Sequence, residues 1–334
     1  MFELFILSDK KDVYQEFASF VQLWSWPGRL GCGQLHPILS TARQDKHRAA
    51  QHIKCQASDM LSLMGVLSIF TQQILLVYDL SNEACHAFLA LADVVDFILA
   101  VARATVEPAK LDQLVERFLE LFSDAFGIEW MIPKFHWMLH FGDHLRNWKL
   151  LLNCFVLERK HRVPKRYASD LKNISKDASK SLLMEVTSHH LAWLRSPCVF
   201  DYSVGPVGGR PASIKVRALL MSMLESITPD TDIIVSRTSR FNALATCYKG
   251  DVVLVKYDSS YKAGEVLLHA SVNGLPRSLV TEWALHSINR DAGYAKWHTT
   301  EKKKMLIATS DILDAVCYTK HSTIATTLLP AELR

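Results

Sequence analysis

Glycine and proline are scarce, 13 and 11 among 334 residues, and their scatter excludes a collagen-like repeat or a Pro/Gly-rich chain. There is no internal repeat and no low-complexity tract. The seven cysteines run from Cys32 to Cys317 without one Cys-x-x-Cys pair, so neither a zinc knuckle nor a disulfide framework is written in the chain. This points to a reducing, intracellular compartment. Long apolar runs are missing as well. The greasiest stretch, residues 87–101, carries Asp93 and Asp96 and falls short of the ~20 apolar residues that span a bilayer. The opening Met1-Phe2-Glu3-Leu4-Phe5 has an acid and no basic flank, which makes a poor secretory signal and reads as if it started inside a domain.

What is present is a chain 49% hydrophobic and 22% charged with a net charge of +4, enough for a sizeable core and roughly two domains. The charge is concentrated. Residues 134–180 hold 11 Lys and Arg against 4 Asp and Glu, a local +7, which leaves the remainder at −3. Such a patch suits a polyanion, and it equally suits a solvated helix face.

From residue 13 to about 196, apolar residues recur at three and four, which predicts a run of helices over residues 13–23, 39–52, 58–78, 81–101 and 108–126. The helix over 81–101 is apolar almost all round and is expected at the centre. Trp24 and Trp26 flank the turn at Pro27-Gly28 and are expected to plug a helix corner. After a Gly/Pro-rich linker and a short helix near 214–226, the pattern turns to strands from about 231. Asn273-Gly274 sits between two of them as a hairpin signal. The expected class is therefore α+β: a helical region over 1–202, a linker and short helix over 203–230, and a small β-barrel or β-sheet domain over 231–334.

The chemistry-bearing residues crowd into the basic stretch. His136, His140 and His144 stand at i, i+4 and i+8, one stripe if a single helix holds them. His136 and His140 are the candidate metal ligands, although a site needs three or four donors. Glu158 precedes Arg159, Lys160, Arg162, Lys165 and Arg166. It suits a metal ligand in a phosphoryl-transfer site, and it suits an ion pair with Arg162 at i+4. Cys154, among Leu151, Leu152 and Phe155, reads as a buried thiol.

These residues carry a resemblance. Lys134, His136 and His140, followed by Glu158-Arg159 and then Lys165 or Arg166, resemble the C-terminal region of cut-and-paste DNA transposases of the CACTA (En/Spm-like) type. Trp24 to Pro27, the segment Lys54 to Asp59 and the tail from Lys249 to Tyr257 resemble other parts of such proteins. The match is sharp over about 40 residues and loose elsewhere. The resemblance implies a DNA partner, a nuclear location and, in a complete transposase, an RNase H-like site in which three acids hold two divalent ions such as Mg. Glu158 would match the third acid. The strands bearing the other two are not found here, and one carboxylate does not hold two metals. The expectation is a transposon-derived fragment without turnover or cofactor of its own. It would bind nucleic acid through Lys134, Arg159, Lys160, Arg162, Lys165 and Arg166.

Two other readings stay open. In one, Glu158 completes an enzyme once upstream strands are supplied; in the other, the chain is a helical scaffold whose barrel docks a protein through Tyr257, Tyr261, Trp283 and Trp297, with strand tryptophans more often simply core.

Overall fold

A computed structural model describes residues 13–30, 36–50, 52–101, 106–149, 203–224, 231–242, 245–257, 260–300 and 303–333, with isolated positions between 151 and 228. The helical part comprises α1 (Val13–Gln22), α2 (Thr41–Ala50), α3 (Ala57–Phe70), α4 (Asn82–Ala100), α5 (Pro108–Phe126), α6 (Pro133–Met138) and α7 (Phe141–Trp148). Helix α3 runs directly into a π-helical turn at Thr71–Leu75, so the single helix expected over 58–78 changes its winding before it ends. Helix α4 is central, as its apolar circumference predicts. Cys85 and Phe88 enter one core with α1 and α3, while Ala90 and Val94 enter a second with α5 to α7. Its polar residues Glu83, His86 and Asp93 are left on the exposed side.

The strand half holds β2 (Gly205–Val207), β3 (Arg210–Pro211), α8 (Ile214–Met221), β4 (Ile233–Ser236), β5 (Thr238–Arg240), β6 (Thr246–Tyr248), β7 (Val252–Tyr257), β8 (Ser260–Val272), β9 (Leu275–Asn289), β10 (Tyr294–His298), β11 (Lys304–Ala308), β12 (Ile312–Val316), β13 (Tyr318–His321) and β14 (Ile324–Leu328). Its spine is the β8–β9 hairpin. Asn273 and Gly274 close it with φ of 48° and 80°, the positive pair that a two-residue hairpin turn requires. Each long strand is shared between two neighbours, β8 by β7 and β4, and β9 by β11 and β10. Gly264 lets β8 and β9 approach: a Cβ there would sit 2.6 Å from the Thr281 carbonyl oxygen.

Strand β7 explains its own unbroken Val252-Val253-Leu254-Val255 run. Val253 and Val255 face one core and Val252 and Leu254 the other, so both faces of this strand are covered. All pairings are antiparallel, and among the described residues none closes the sheet on itself. The C-terminal part is thus an open sheet, and the barrel alternative is not seen. Part of the segment read as a linker joins the strands: β3 pairs with β4 in the eleven-stranded sheet, while β2 pairs with β5 in a separate three-stranded sheet of β2, β5 and β6.

The helices and the sheet are tied through residues 24–29. Trp24 and Ser25 form β1, an added strand on β13. The Gly28 amide donates to Asp251 at 2.8 Å, and the Arg29 guanidinium meets Asp314 at 3.0 Å. Trp24 is buried and Trp26 half-buried in the helical core, in keeping with a plugged corner.

Candidate nucleic-acid interface

Helix α5 ends at Gly127, whose φ of 89° an L side chain rarely adopts. The chain then makes a 3-10 turn at Ile128–Trp130 and enters α6 with Pro133 in its first turn, where the missing N–H costs nothing. Phe135 anchors α6. Its ring packs edge-on against Phe118 and Phe122 of α5, at 5.5 and 4.8 Å between centroids. With Phe135 inward, the helical turn sends Trp137 to the opposite side and leaves Lys134 and His136 exposed.

Helix α7 docks on α5 even more closely. A Cβ on Gly142 would fall 1.8 Å from the Asp112 carboxylate, so only glycine fits without a shift. Asp112 is itself held, because Arg146 donates to Asp112 at 2.6 Å and to Asp143 at 2.6 Å. Hydrogen bonding to Arg146, reinforced by its charge, keeps the Asp143 carboxyl below its ordinary range, and the two carboxylates raise Arg146 in turn. One cation of the +7 stretch is therefore already paired with two carboxylates.

The histidine stripe is interrupted. Helix α6 ends at Met138 and α7 begins at Phe141, with 3-10-type bonds from Leu139 to His136 and from His140 to Trp137 across the joint. His136 and His140 still meet, Nε2 to Nε2 at 3.4 Å with rings at 84°, while His144 belongs to α7. Among the described residues no group of three or more His, Cys, Asp or Glu is poised to hold a metal ion. Glu158, Arg159, Lys160, Arg162, Lys165 and Arg166 lie outside the described residues, as does Cys154.

What the sequence reading did not single out is the aromatic edge. Trp130, Trp137 and Trp148 are 61%, 62% and 69% exposed, with Lys134, His136, His140 and Lys149 exposed around them. Trp130 stands in the 3-10 turn, Trp137 on α6 and Trp148 on α7, and exposed indoles this close along a chain are the kind of side chain that binding surfaces use. No signal in the sequence separated these indoles from buried ones: it is the docking of Phe135 on α5 that leaves Trp137 outside. The strand tryptophans behave in the opposite way. Trp283 and Trp297 are buried, Trp297 donating to Thr327 at 2.8 Å, so they are core and not an aromatic groove. Tyr257 is exposed beneath the Lys262 ammonium, 3.9 Å from its ring centre.

Two further features bear on chemistry. A cleft of about 690 Å³ lies between α4, α5 and the β9–β10 turn, lined by Asp93, Asp96, Glu107, Lys110, Arg117 and Arg290 among others. In the sheet, Cys247, His269, Ser278 and Thr309 form a buried row, with His269 Nδ1 2.8 Å from Ser278 Oγ and Ser278 Oγ 2.9 Å from Thr309 Oγ1. Burial pushes the Cys247 thiol up to about 12 and His269 down to about 4. A protonated thiol facing a neutral imidazole inside a sealed core is a structural contact, not a nucleophile.

No helix among the described residues is long and apolar enough to cross a membrane. No protein-family profile, no curated protein and no solved structure matches the chain.

Proposed function

We propose that this protein is a transposon-derived nucleic-acid-binding chain that does not cut DNA by itself. The observation that carries the reading is the exposure of Trp130, Trp137 and Trp148, one just before and two within the basic stretch with its local +7. Exposed indoles stack on bases, and cations hold the phosphates between them. Each part is ordinary alone; their adjacency is what favours nucleic acid over a protein partner. Within this sequence the transposase resemblance matches one acid, Glu158, and a single carboxylate does not hold the two ions of the cutting reaction.

The test is fluorescence-anisotropy binding of the whole chain to duplex and single-stranded DNA over a salt series. Wild type is expected to show a steep log–log dependence. Reversing Lys160, Lys165 and Arg166 to Glu is expected to reduce that slope by roughly 3, at about 0.9 per phosphate contact on a duplex. A flat wild-type slope overturns the reading. Trp137→Ala together with Trp148→Ala is expected to weaken single-strand binding at least tenfold, base stacking being worth about 1–3 kcal/mol. Cleavage of either DNA in the presence of Mg²⁺ refutes the absence of turnover.

A further inference from the structure

A second pair of histidines lies far from the basic stretch in sequence, on the β9–β10 hairpin. His286 Nδ1 and His298 Nε2 are 3.1 Å apart, with ring centroids at 4.8 Å and planes at 79°. The backbone sets this up. Lys296 pairs with Ser287 and Trp297 with Leu285, so His286 is the extra residue of a β-bulge, the device by which a strand re-aims one side chain. His298 is fixed from both sides, opposite Ala284 of β9 and Ile324 of β14. Its neighbour Trp297 is locked in the core by its bond to Thr327.

We infer that His286 and His298 form a two-imidazole chelate for a late first-row divalent ion of the zinc, copper or nickel kind. Two imidazole nitrogens at about 2.0–2.1 Å from one ion stand about 3.3 Å apart in a tetrahedron and about 2.9 Å apart at square-planar corners. The observed 3.1 Å falls between these values. Loading changes little. The ion exchanges two of its water ligands for the two nitrogen lone pairs, and the ring that had donated across the N···N contact carries its proton on its other nitrogen instead. No electron moves and the protein's charge is unchanged. His286 is exposed and His298 half-buried, so the ion has a path in and keeps its remaining positions for water. His298 is held by strands on both sides and His286 by the bulge between two paired residues, whereas His136 and His140 straddle the joint between two short helices.

The experiment is isothermal titration of the whole chain with Zn²⁺, and separately with Ni²⁺, in a non-coordinating buffer near neutral pH. Thermal unfolding with and without each ion supplies a second readout. The expected result is a site of one ion per chain that His286→Ala and His298→Ala each weaken at least tenfold, while His136→Ala with His140→Ala leaves it in place. Bound ion is expected to raise the unfolding midpoint of the wild type and not of His286→Ala, since it binds the folded hairpin. Equal binding by wild type and by His286→Ala overturns the assignment, as does a site lost only with His136 and His140. Neither outcome touches the DNA-binding reading, which rests on other residues.

Discussion

Arg29, just after the first strand, reaches across to Asp314 of β12 and meets its carboxylate at 3.0 Å. The pair is asymmetric: the Asp314 side chain is 9% exposed and that of Arg29 30%. Asp314 also accepts from the Ala315 amide at 2.8 Å, so the carboxylate is built into the sheet while the guanidinium arrives from the helical side.

That asymmetry predicts unequal costs. Arg29→Ala takes the cation from a buried carboxylate and is expected to destabilise by roughly 2–3 kcal/mol. Asp314→Asn keeps the acceptor for Ala315 and leaves Arg29 free to turn toward water, for a loss of about 1 kcal/mol. Urea unfolding of the two variants checks the order, and equal losses contradict it.

Gly142→Ala tests the α5–α7 contact. The new methyl meets an Asp112 carboxylate that Arg146 holds at 2.6 Å, so either the carboxylate gives up Arg146 or the helices separate. A loss of about 1–3 kcal/mol is expected. Pairing it with Asp112→Ala should recover much of that loss, because the clash is specific to this side chain; a double-mutant cycle with no coupling refutes the contact.

Acid should weaken the sheet. Desolvation lowers the folded His269 to about 4 from an ordinary 6.5, so between these values the unfolded chain binds a proton that the folded chain refuses. Stability therefore falls as pH drops from about 6.5 to about 4, by on the order of 3 kcal/mol. His269→Gln, which cannot titrate, should show a flatter dependence across that window when denaturation midpoints are compared. Parallel curves for the two proteins rule this out.

Arg146 should not contribute to a phosphate contact, although it lies in the basic stretch. Both of its donor arms are engaged by Asp112 and Asp143. Arg146→Ala is expected to lower stability through the α5–α7 contact and to leave the salt slope of DNA binding unchanged. A reduced slope shows that the arginine leaves its carboxylates for DNA.

The helices from α1 to α5, the onset of the strands near 231 and the β8–β9 hairpin were legible because each carries its own period, its own caps or its own turn. Helix α5 spans Pro108–Phe126, the range that its apolar spacing, Pro108 and Gly127 mark out. Strand β1 was not legible, since a two-residue strand is defined only by the partner it finds on β13. The short strands β12 to β14 likewise take their identity from neighbours.

The candidate site divides in the same way. The sequence by itself determined the charge segregation, the α+β order and the closeness of His136 to His140, all of which follow from composition or from spacing along one stretch of chain. Only the tertiary structure decided that Arg146 is occupied, that Trp137 faces water while Trp297 is buried, and that His286 meets His298. Those outcomes depend on which side chains other elements deliver to the same place, and for β9 and β10 on a bulge that shifts register by one residue. Periodicity says that a residue has an inside and an outside; packing says which neighbour waits there.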